Sequence, residues 1–533
     1  MKSSKLCLIL LILCLFQPSQ SANILIYALQ ATYSQLHVYH PYGVKLSEAG
    51  HNVTLVIPVE YKNPSQKLHY VIPPRVKSQW KSMQSLGKEI VPQREASVLA
   101  GETTNPGWDT MAADGVLYCE LFLNSPEMVS WVESSSFDLV IVDDYLLNDC
   151  GVGLAYKFQA PFMYFVTSAL FPSAYDTYGI SPEDSWIPDL RKRWTGEMTF
   201  FQRVENTLLT LQMYFVTKRL SGYFEDLETM LRSKLNMPEM PSLEELEKQA
   251  SLVLVSSHFS MEVARSLPPL FVEVGGLQCG GVVKEELTEA MKTFVSKFSG
   301  FIYISFGTIT QLSPAKQKMF LEMFPKFSNI GFIFKWVGEL PEKIPPNALL
   351  VDYAPQQALL VHKKILGFVS HGGMLSTQEV VYYGVPAIGV PIFAEQDYNI
   401  ECLRRLGVAL RLEIATLTTE ELRVAIHELL TNPSYKINMK RVSKLSLDRP
   451  QHPMETAIWW TEYVLRNSKF KEGLPHLKPL GIHQYWYQRR SLDVWGFLLL
   501  VLLAGLILLY KAVSISMKLL CSILFNKEKR KTA

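Results

Sequence analysis

The run ILGFVSHGGMLSTQEVVYYGVPAIGV, Ile365 to Val390, decides the fold. ILGFVS is an apolar, β-rich stretch that stops at His371-Gly372-Gly373. A helical pattern runs from about Met374 to Tyr383, and PAIGV from Pro386 is apolar again. Strand, glycine turn, helix and strand in this order make the repeating unit of a parallel α/β sheet. The helix start carries backbone N–H groups without intrahelical partners, and the helix dipole makes that end an anion site. Glycines there let a diphosphate approach the backbone. The imidazole of His371 can donate a hydrogen bond to a phosphate oxygen. A glycine pair before a helix is common in α/β loops, so this turn alone defines a capacity and not a ligand.

The same alternation continues on both sides. Upstream, apolar runs begin at Asn23 (NILIYA), Asn52 (NVTLVI), Asp138 (DLVIV), Pro161 (PFMYF) and Leu252 (LVLV). A second series begins at Phe301 (FIYISF), Gly331 (GFIFKWV), Ala348 (ALLV), Ile365 and Pro386. Continuous apolar strands suit parallel sheets covered on both faces. The Pro- and Gly-rich stretch Leu267 to Gly281 reads as an interdomain linker. The expected fold is α/β, with two facing Rossmann-type domains and a ligand cleft at the carboxyl ends of their strands. No GxGxxG follows the first strand, which disfavours a nucleotide-dependent oxidoreductase. At 533 residues the chain is long enough for two or three domains. A hydrophobic fraction of 48% excludes a largely disordered chain, and a net charge of +2 argues against a polyanion-binding protein. The 7 cysteines are scattered, with no CxxC and no Cys/His cluster, so neither a disulfide framework nor a metal site is expected.

The two ends read as address signals. Lys2 and Lys5, the apolar LCLILLILCLF, and small residues at Ser19 and Ser21 fit a secretory signal peptide over residues 1–21. VWGFLLLVLLAGLILLY, Val494 to Tyr510, carries no charge and is bounded by Trp495 and Tyr510, as a membrane span is. Lys511, Lys518 and the tail NKEKRKTA add positive charge beyond it, which suggests a single-pass type I protein with a cytosolic tail. Lys529 and Lys531 resemble a dilysine signal for retrieval to the endoplasmic reticulum. Phe200 to Leu235 is helical in period, with Leu208, Leu211 and Phe215 on one side. It fits an acceptor site, a membrane-facing surface or a packed insertion. Asn52-Val53-Thr54 is a glycosylation sequon at the start of an apparent core strand, where occupancy is disfavoured.

The block from Asp352 to Asn399 resembles the signature of the membrane-bound UDP-glycosyltransferases, and HGGMLSTQE most resembles their insect-type branch. The likeness runs through the whole chain to YQRRSLDVWGFLLL at the entry to the span. It implies a GT-B-like fold in which the second domain holds a UDP-sugar as co-substrate, with no other cofactor and no metal. The implied domains are an N-terminal acceptor-binding domain over 22–275 and a C-terminal UDP-sugar-binding domain over 276–452. A returning segment comes next over 453–490, then a transmembrane region over 491–512 and a basic tail over 513–533. Tyr353 stands where the family has Trp and would stack on uracil; Gln356 would pair with the base or ribose. Thr308, His371 and Gly373 would contact the diphosphate, and Glu379 the ribose hydroxyls. Glu395 and Gln396 replace the family's Asp-Gln and would hold the sugar hydroxyls.

The resemblance also implies a catalytic His after the first strand, held by a carboxylate. Counting the family's spacing back from Gly50-His51 lands on Gln35. The orienting carboxylate falls on Asp143 in FDLVIVDD, with Asp144 expected to face solvent. Gln cannot accept a proton at neutral pH. His37 could reach the site only through a loop shift; otherwise His37 and His40 are expected at the surface or in helix caps. Two functions are compatible with this pattern. One is an inverting transferase that moves a hexose, glucose by the insect-type likeness, to small lipophilic acceptors in the endoplasmic reticulum, a detoxification chemistry in which amines need less base help. The other is a donor-binding protein with little activity that partners or regulates other transferases, as a homo- or hetero-oligomer. The sequence does not name the acceptor, whose pocket is expected within Tyr61–Asp114 and Tyr175–Phe215. No nucleic-acid partner is expected.

Overall fold

The computed structural model describes residues 21–83, 87–100, 108–144, 148–170, 173–194, 196–280, 285–308 and 310–531. The signal-peptide reading lies outside them except for Ser21. Two all-parallel sheets form the body. The first has seven strands in the order β3-β2-β1-β4-β5-β6-β7. They are β1 (Asn23–Tyr27), β2 (Asn52–Val56), β3 (His69–Val71), β4 (Leu139–Asp143), β5 (Phe162–Val166), β6 (Val253–Val255) and β7 (Phe271–Glu273). The second has six, in the order β10-β9-β8-β11-β12-β13. They are β8 (Gly300–Ser305), β9 (Ile330–Lys335), β10 (Ala348–Val351), β11 (Ile365–Ser370), β12 (Ala387–Gly389) and β13 (Ala409–Arg411). Every residue of β4, β5 and β8 is buried, as expected of strands covered on both faces.

In each sheet the strand order reverses at its middle, between β1 and β4 and between β8 and β11. Such a switch point opens a crevice at the carboxyl ends of the strands. Tyr27 pairs with Val142, so the chain leaving β1 and Asp143 at the end of β4 emerge side by side. Ser305 pairs with Ser370, which likewise sets the turn after β8 beside His371.

The apolar runs of the sequence correspond to ten of these strands. The short β3, β7 and β13 carry no such run. β7 lies inside Leu267–Gly281, so only the residues after Glu273 can serve as a linker: FVE pairs with β6 and completes the first sheet. Cys119 and Cys150 form a disulfide across a sequence separation of 31. The wide spacing of the cysteines gives no sign of it; the fold brings the helix Trp108–Leu123 beside the helix Cys150–Phe158. Closing a loop of this length stabilises by about 3–4 kcal/mol in the chain-entropy account.

The helices α1 (Tyr33–Glu48), α2 (Ile90–Leu99), α4 (Met374–Tyr383) and α5 (Gln396–Arg405) border the site, and α3 (Phe200–Lys234), α6 (Pro453–Asn467) and α7 (Leu492–Lys531) lie outside it. Two of them cross between the lobes. α2 belongs to the first half of the chain, yet Val91 is buried in the second lobe's core with Phe320, Phe334 and Ile414. α6 comes after the second lobe but buries Met454, Ala457 and Val464 in the first. The Tyr42 hydroxyl is hydrogen-bonded to Thr461 of α6. Beyond α6, Arg489 and Arg490 both pair with Asp176, at 2.6 and 3.1 Å, which ties the start of α7 to the first lobe. The apolar part of α7, Leu492–Leu524, contains an 18-residue window of mean hydropathy 2.6 and is long enough to cross a membrane. Asn52 is exposed at the first residue of β2, at the amino end of the strand and away from the crevice, with its amide on Asn23 at 3.0 Å.

Candidate active site

On the first lobe, the site begins where β1 gives way to α1. Gln35 is the third residue of α1, and its Oε1 accepts from the backbone N–H of Thr32 at 2.7 Å, closing the helix start. That bond aims the amide inward. Its Nε2 donates to Asp143 at 3.3 Å and to the Thr167 hydroxyl at 3.0 Å. Asp143 is fully buried and also accepts from the Tyr39 hydroxyl at 2.6 Å and from Asn148 at 3.3 Å. Tyr39 is on α1, one turn from Gln35, so one helix face supplies two of the donors. The fold therefore brings Gln35 and Asp143 together, with a polar side chain that cannot take up a proton at the head of the pair.

The nearby histidines face elsewhere, and neither is at the surface or in a cap as the sequence suggests. His37 shares a 2.9 Å hydrogen bond with the Tyr61 hydroxyl. Burial, with the charges of Lys335 and Lys62, pushes its pKa down to about 4. His40 is buried, stacks on Tyr61 at 4.0 Å, and has no hydrogen bond at either ring nitrogen. Burial brings it to about 4 as well. Both rings are neutral at pH 7. Asp144 also departs from expectation: it turns inward toward the Tyr178 hydroxyl at 3.5 Å. Burial and the neighbouring Asp149 and Asp143 raise its carboxyl well above the usual range.

On the second lobe, His371 comes directly after β11, and Gly373 caps α4. Gly372 has φ +85° and Gly307 has φ +84°, conformations that glycine adopts without strain. A Cβ on Gly373 would lie 2.7 Å from the His371 ring, and one on Gly307 3.0 Å from it. Only glycines leave room for this imidazole. Burial, then the charge of Lys335, lowers His371 to about 4, and its Nδ1 is buried without a partner. A neutral ring with an orphaned nitrogen, beside a helix start, fits a phosphate oxygen. Thr308 lies half-buried in the turn after β8.

Glu379 sits one turn into α4 and is held by two amides: Gln356 donates to it at 2.5 Å and Gln357 at 3.0 Å. Burial lifts its pKa to about 7, although both amides work the other way. Gln356 also donates to Ser376 at 3.1 Å. Tyr353 lies over the same edge, with its hydroxyl on Glu285 at 2.6 Å and the Lys62 ammonium 3.5 Å above its ring. Lys62 comes from the first lobe, so this contact spans the crevice. Glu395 and Gln396 are buried where α5 begins. Gln396 commits its carbonyl oxygen to the N–H groups of Ile392 and Phe393, at 2.9 and 3.1 Å.

Several residues at this cleft escape a reading of the sequence. Gln357, Lys62, Glu285 and Lys335 have no local signature, because their partners lie far away in the chain. The largest omission is an ion network that closes the cleft behind Glu395. Arg94 of α2 donates to Asp397 at 2.7 and 3.2 Å and to Glu413 at 3.1 and 2.8 Å. Arg193 joins from the first half at 3.1 Å to Asp397, and Arg411 from β13 at 2.7 Å. Burial alone would raise Asp397, but the arginines outweigh it and hold the carboxyl below its usual range.

Two Rossmann-type lobes whose switch points face a shared cleft make the GT-B fold. A profile of the UDP-glucoronosyl and UDP-glucosyl transferase family matches residues 46–531, and the chain belongs to that family. It is 31% identical over 468 residues to UDP-glucosyltransferase 2 of Dactylopius coccus, covering 86% of each chain. It is 32% identical over 398 residues to UDP-glucuronosyltransferase 1-2 of Rattus norvegicus, covering 74% of this chain and 72% of that one. Among solved structures, the kitacinnamycin glycosyltransferase superposes with a TM-score of 0.55 at 17% identity, covering 83% of this chain and 99% of its own. The forosaminyltransferase of spinosyn superposes at 0.53, also at 17%, over 83% of this chain and 100% of its own. The protein is a transferase of glycosyl groups from UDP-sugars.

Proposed function

We propose that the protein transfers glucose, with inversion, from UDP-glucose to small lipophilic acceptors and that it favours amines over hydroxyls. The observation that carries this reading is Gln35 hydrogen-bonded to Asp143 at 3.3 Å, where a hydroxyl acceptor would need a base. A neutral amine already has a nucleophilic lone pair and sheds its proton after attack. The likeness to an insect UDP-glucosyltransferase over 86% of the chain supports glucose. On this reading Gln35 and Asp143 orient the acceptor, and His371, Gly373 and Thr308 hold the diphosphate. Tyr353 and Gln356 receive the base, Glu379 the ribose, and Glu395 with Gln396 the sugar. For Tyr353 to stack on uracil, the Lys62 ammonium has to leave one face of the ring or the base has to take the other. The pair of loops expected to make the acceptor pocket includes Tyr61, which already packs on His37 and His40.

Donor binding gives the first test. His371→Ala and Glu379→Ala should each weaken UDP-glucose binding by about 1.5–3 kcal/mol, the range for hydrogen bonds to charged groups. Calorimetry that finds both variants unchanged would place the donor elsewhere. A carboxylate accepts from the ribose hydroxyls more strongly than a protonated carboxyl does, and burial sets Glu379 at about 7. Affinity should therefore rise with pH through neutrality, being roughly tenfold weaker at pH 6 than at pH 8. Glu379→Gln should be flat over the same range. A wild type that binds equally well at both pH values would count against the ribose role.

The address signals fit a type I protein of the endoplasmic reticulum with its catalytic lobes in the lumen. The disulfide between Cys119 and Cys150 favours an oxidising compartment. Protease added to sealed microsomes should trim only the C-terminal tail; digestion of both lobes would contradict this topology. Lys529→Ser with Lys531→Ser should let the protein leave the reticulum.

A further inference from the structure

The first half of the long helix α3 buries polar side chains and exposes apolar ones. Asn206 and Thr210 point into the protein, and Met213 continues that face. Asn206 accepts from the N–H of Asp189 at 2.8 Å and donates to the carbonyls of Asp184 and Ile187, each at 2.8 Å. Thr210 donates to Asp184 at 2.9 Å. The opposite side carries Phe201, Val204, Leu208 and Phe215, which are 79%, 42%, 60% and 61% exposed. Their spacing of three, four and seven residues puts them on one stripe. A helix in water turns its polar side outward. Here Asn206 and Thr210 are spent on the loop at Asp184–Asp189 inside, while Phe201, Val204, Leu208 and Phe215 lie bare.

That stripe runs toward the membrane end of the molecule. Tyr214, beside Phe215, packs its ring on Trp486 at 5.3 Å. Trp486 lies just before Leu492, where the apolar part of α7 begins. Tyr485 and Tyr487 flank it with stacked rings, and Tyr485 and Leu480 are also well exposed. The pairing of Asp176 with Arg489 and Arg490 fixes this aromatic cluster against the first lobe. Aromatic side chains of this kind collect at the headgroup level of a bilayer. Helices with an exposed apolar stripe lie in the interface with that stripe in the acyl boundary.

We infer that α3 lies on the bilayer that α7 crosses, with Phe201, Val204, Leu208 and Phe215 seated in the lipid. The occupant of the stripe is the membrane surface, because the stripe is continuous with the aromatic collar of the span. The inference rests on the reading that α7 spans the membrane. It makes the first lobe, where the acceptor is received, a second membrane contact.

The test uses the full chain in phosphatidylcholine vesicles, with Cys521→Ser removing the exposed free thiol. A fluorophore is placed at Phe201→Cys, Leu208→Cys, Leu503→Cys in the span or Lys318→Cys on the second lobe. Doxyl-labelled phosphatidylcholine is the quencher. Labels at 201 and 208 should lose at least half as much emission as the label at 503, and the label at 318 should lose none. Quenching at 503 but not at 201 or 208 overturns the inference and leaves the span intact. Protection of 201 and 208 from aqueous iodide without doxyl quenching means a protein covers the stripe, which also overturns it. No quenching at 503 removes the span and the inference together.

Discussion

Asp397→Ala should destabilise the protein by about 3–5 kcal/mol, the cost of leaving buried charge uncompensated. Among the described residues, Arg94, Arg193 and Arg411 converge on two carboxylates, Asp397 and Glu413. Removing Asp397 leaves three guanidinium groups against one carboxylate, with Arg94 almost wholly buried. Removing Arg94 leaves two against two, so Arg94→Ala should cost less. That order, read from denaturant melts, distinguishes an ion network from simple packing. The network should persist at neutral pH. Asp397 is held below its usual range, so its contribution is present above the unfolded pKa and lost only as pH falls through the lower folded value. Asp397 also adjoins Glu395 and Gln396 at the start of α5, so the variant should lose donor affinity along with stability.

Gln35→His should raise conjugation of a phenol by roughly tenfold or more, toward the range that general-base catalysis contributes. The site is already built for an imidazole. Asp143 would accept from one ring nitrogen while the other faces the acceptor, and hydrogen bonds from Tyr39 and Asn148 fix the carboxylate in place. Transfer to an amine should change little. His37→Ala should also change little, since its ring is held on Tyr61 rather than on Asp143. Loss of all activity in His37→Ala, with Gln35→His silent, would mean that the first turn of α1 rearranges to bring His37 to the base position.

How legible these features are depends on their range. The strand–glycine–helix unit at Ile365–Tyr383 is readable because its parts are adjacent and each has a strong local preference. Gln35 is readable from the family's spacing before Gly50-His51 and Asp143 as the end of the apolar run in FDLVIVDD, and their contact arises from β1 pairing with β4. β3, β7 and β13 are not, because HYV, FVE and ALR each mix a polar residue into three positions, whereas the equally short β6 and β12 are apolar throughout. The swap of α2 into the second lobe is invisible as well. Ile90 and Val91 read as ordinary apolar residues, and Arg94 as a surface charge, until Asp397 and Glu413 are seen around it. His40 misleads for the same reason: a polar side chain between apolar neighbours looks like a surface residue, whereas here it is stacked on Tyr61.

The most direct measurement is the rate of glucose transfer from UDP-glucose to 1-naphthylamine and to 1-naphthol by the wild-type protein at pH 7. The two acceptors share shape and apolar area and differ in the nucleophilic atom. With Gln35 in place of a base, the amine should be glucosylated and the naphthol at least about tenfold more slowly. Equal rates, or a faster naphthol, would contradict the role given to Gln35. Binding of UDP-glucose without transfer to either acceptor would show that the cleft holds its donor and does not use it.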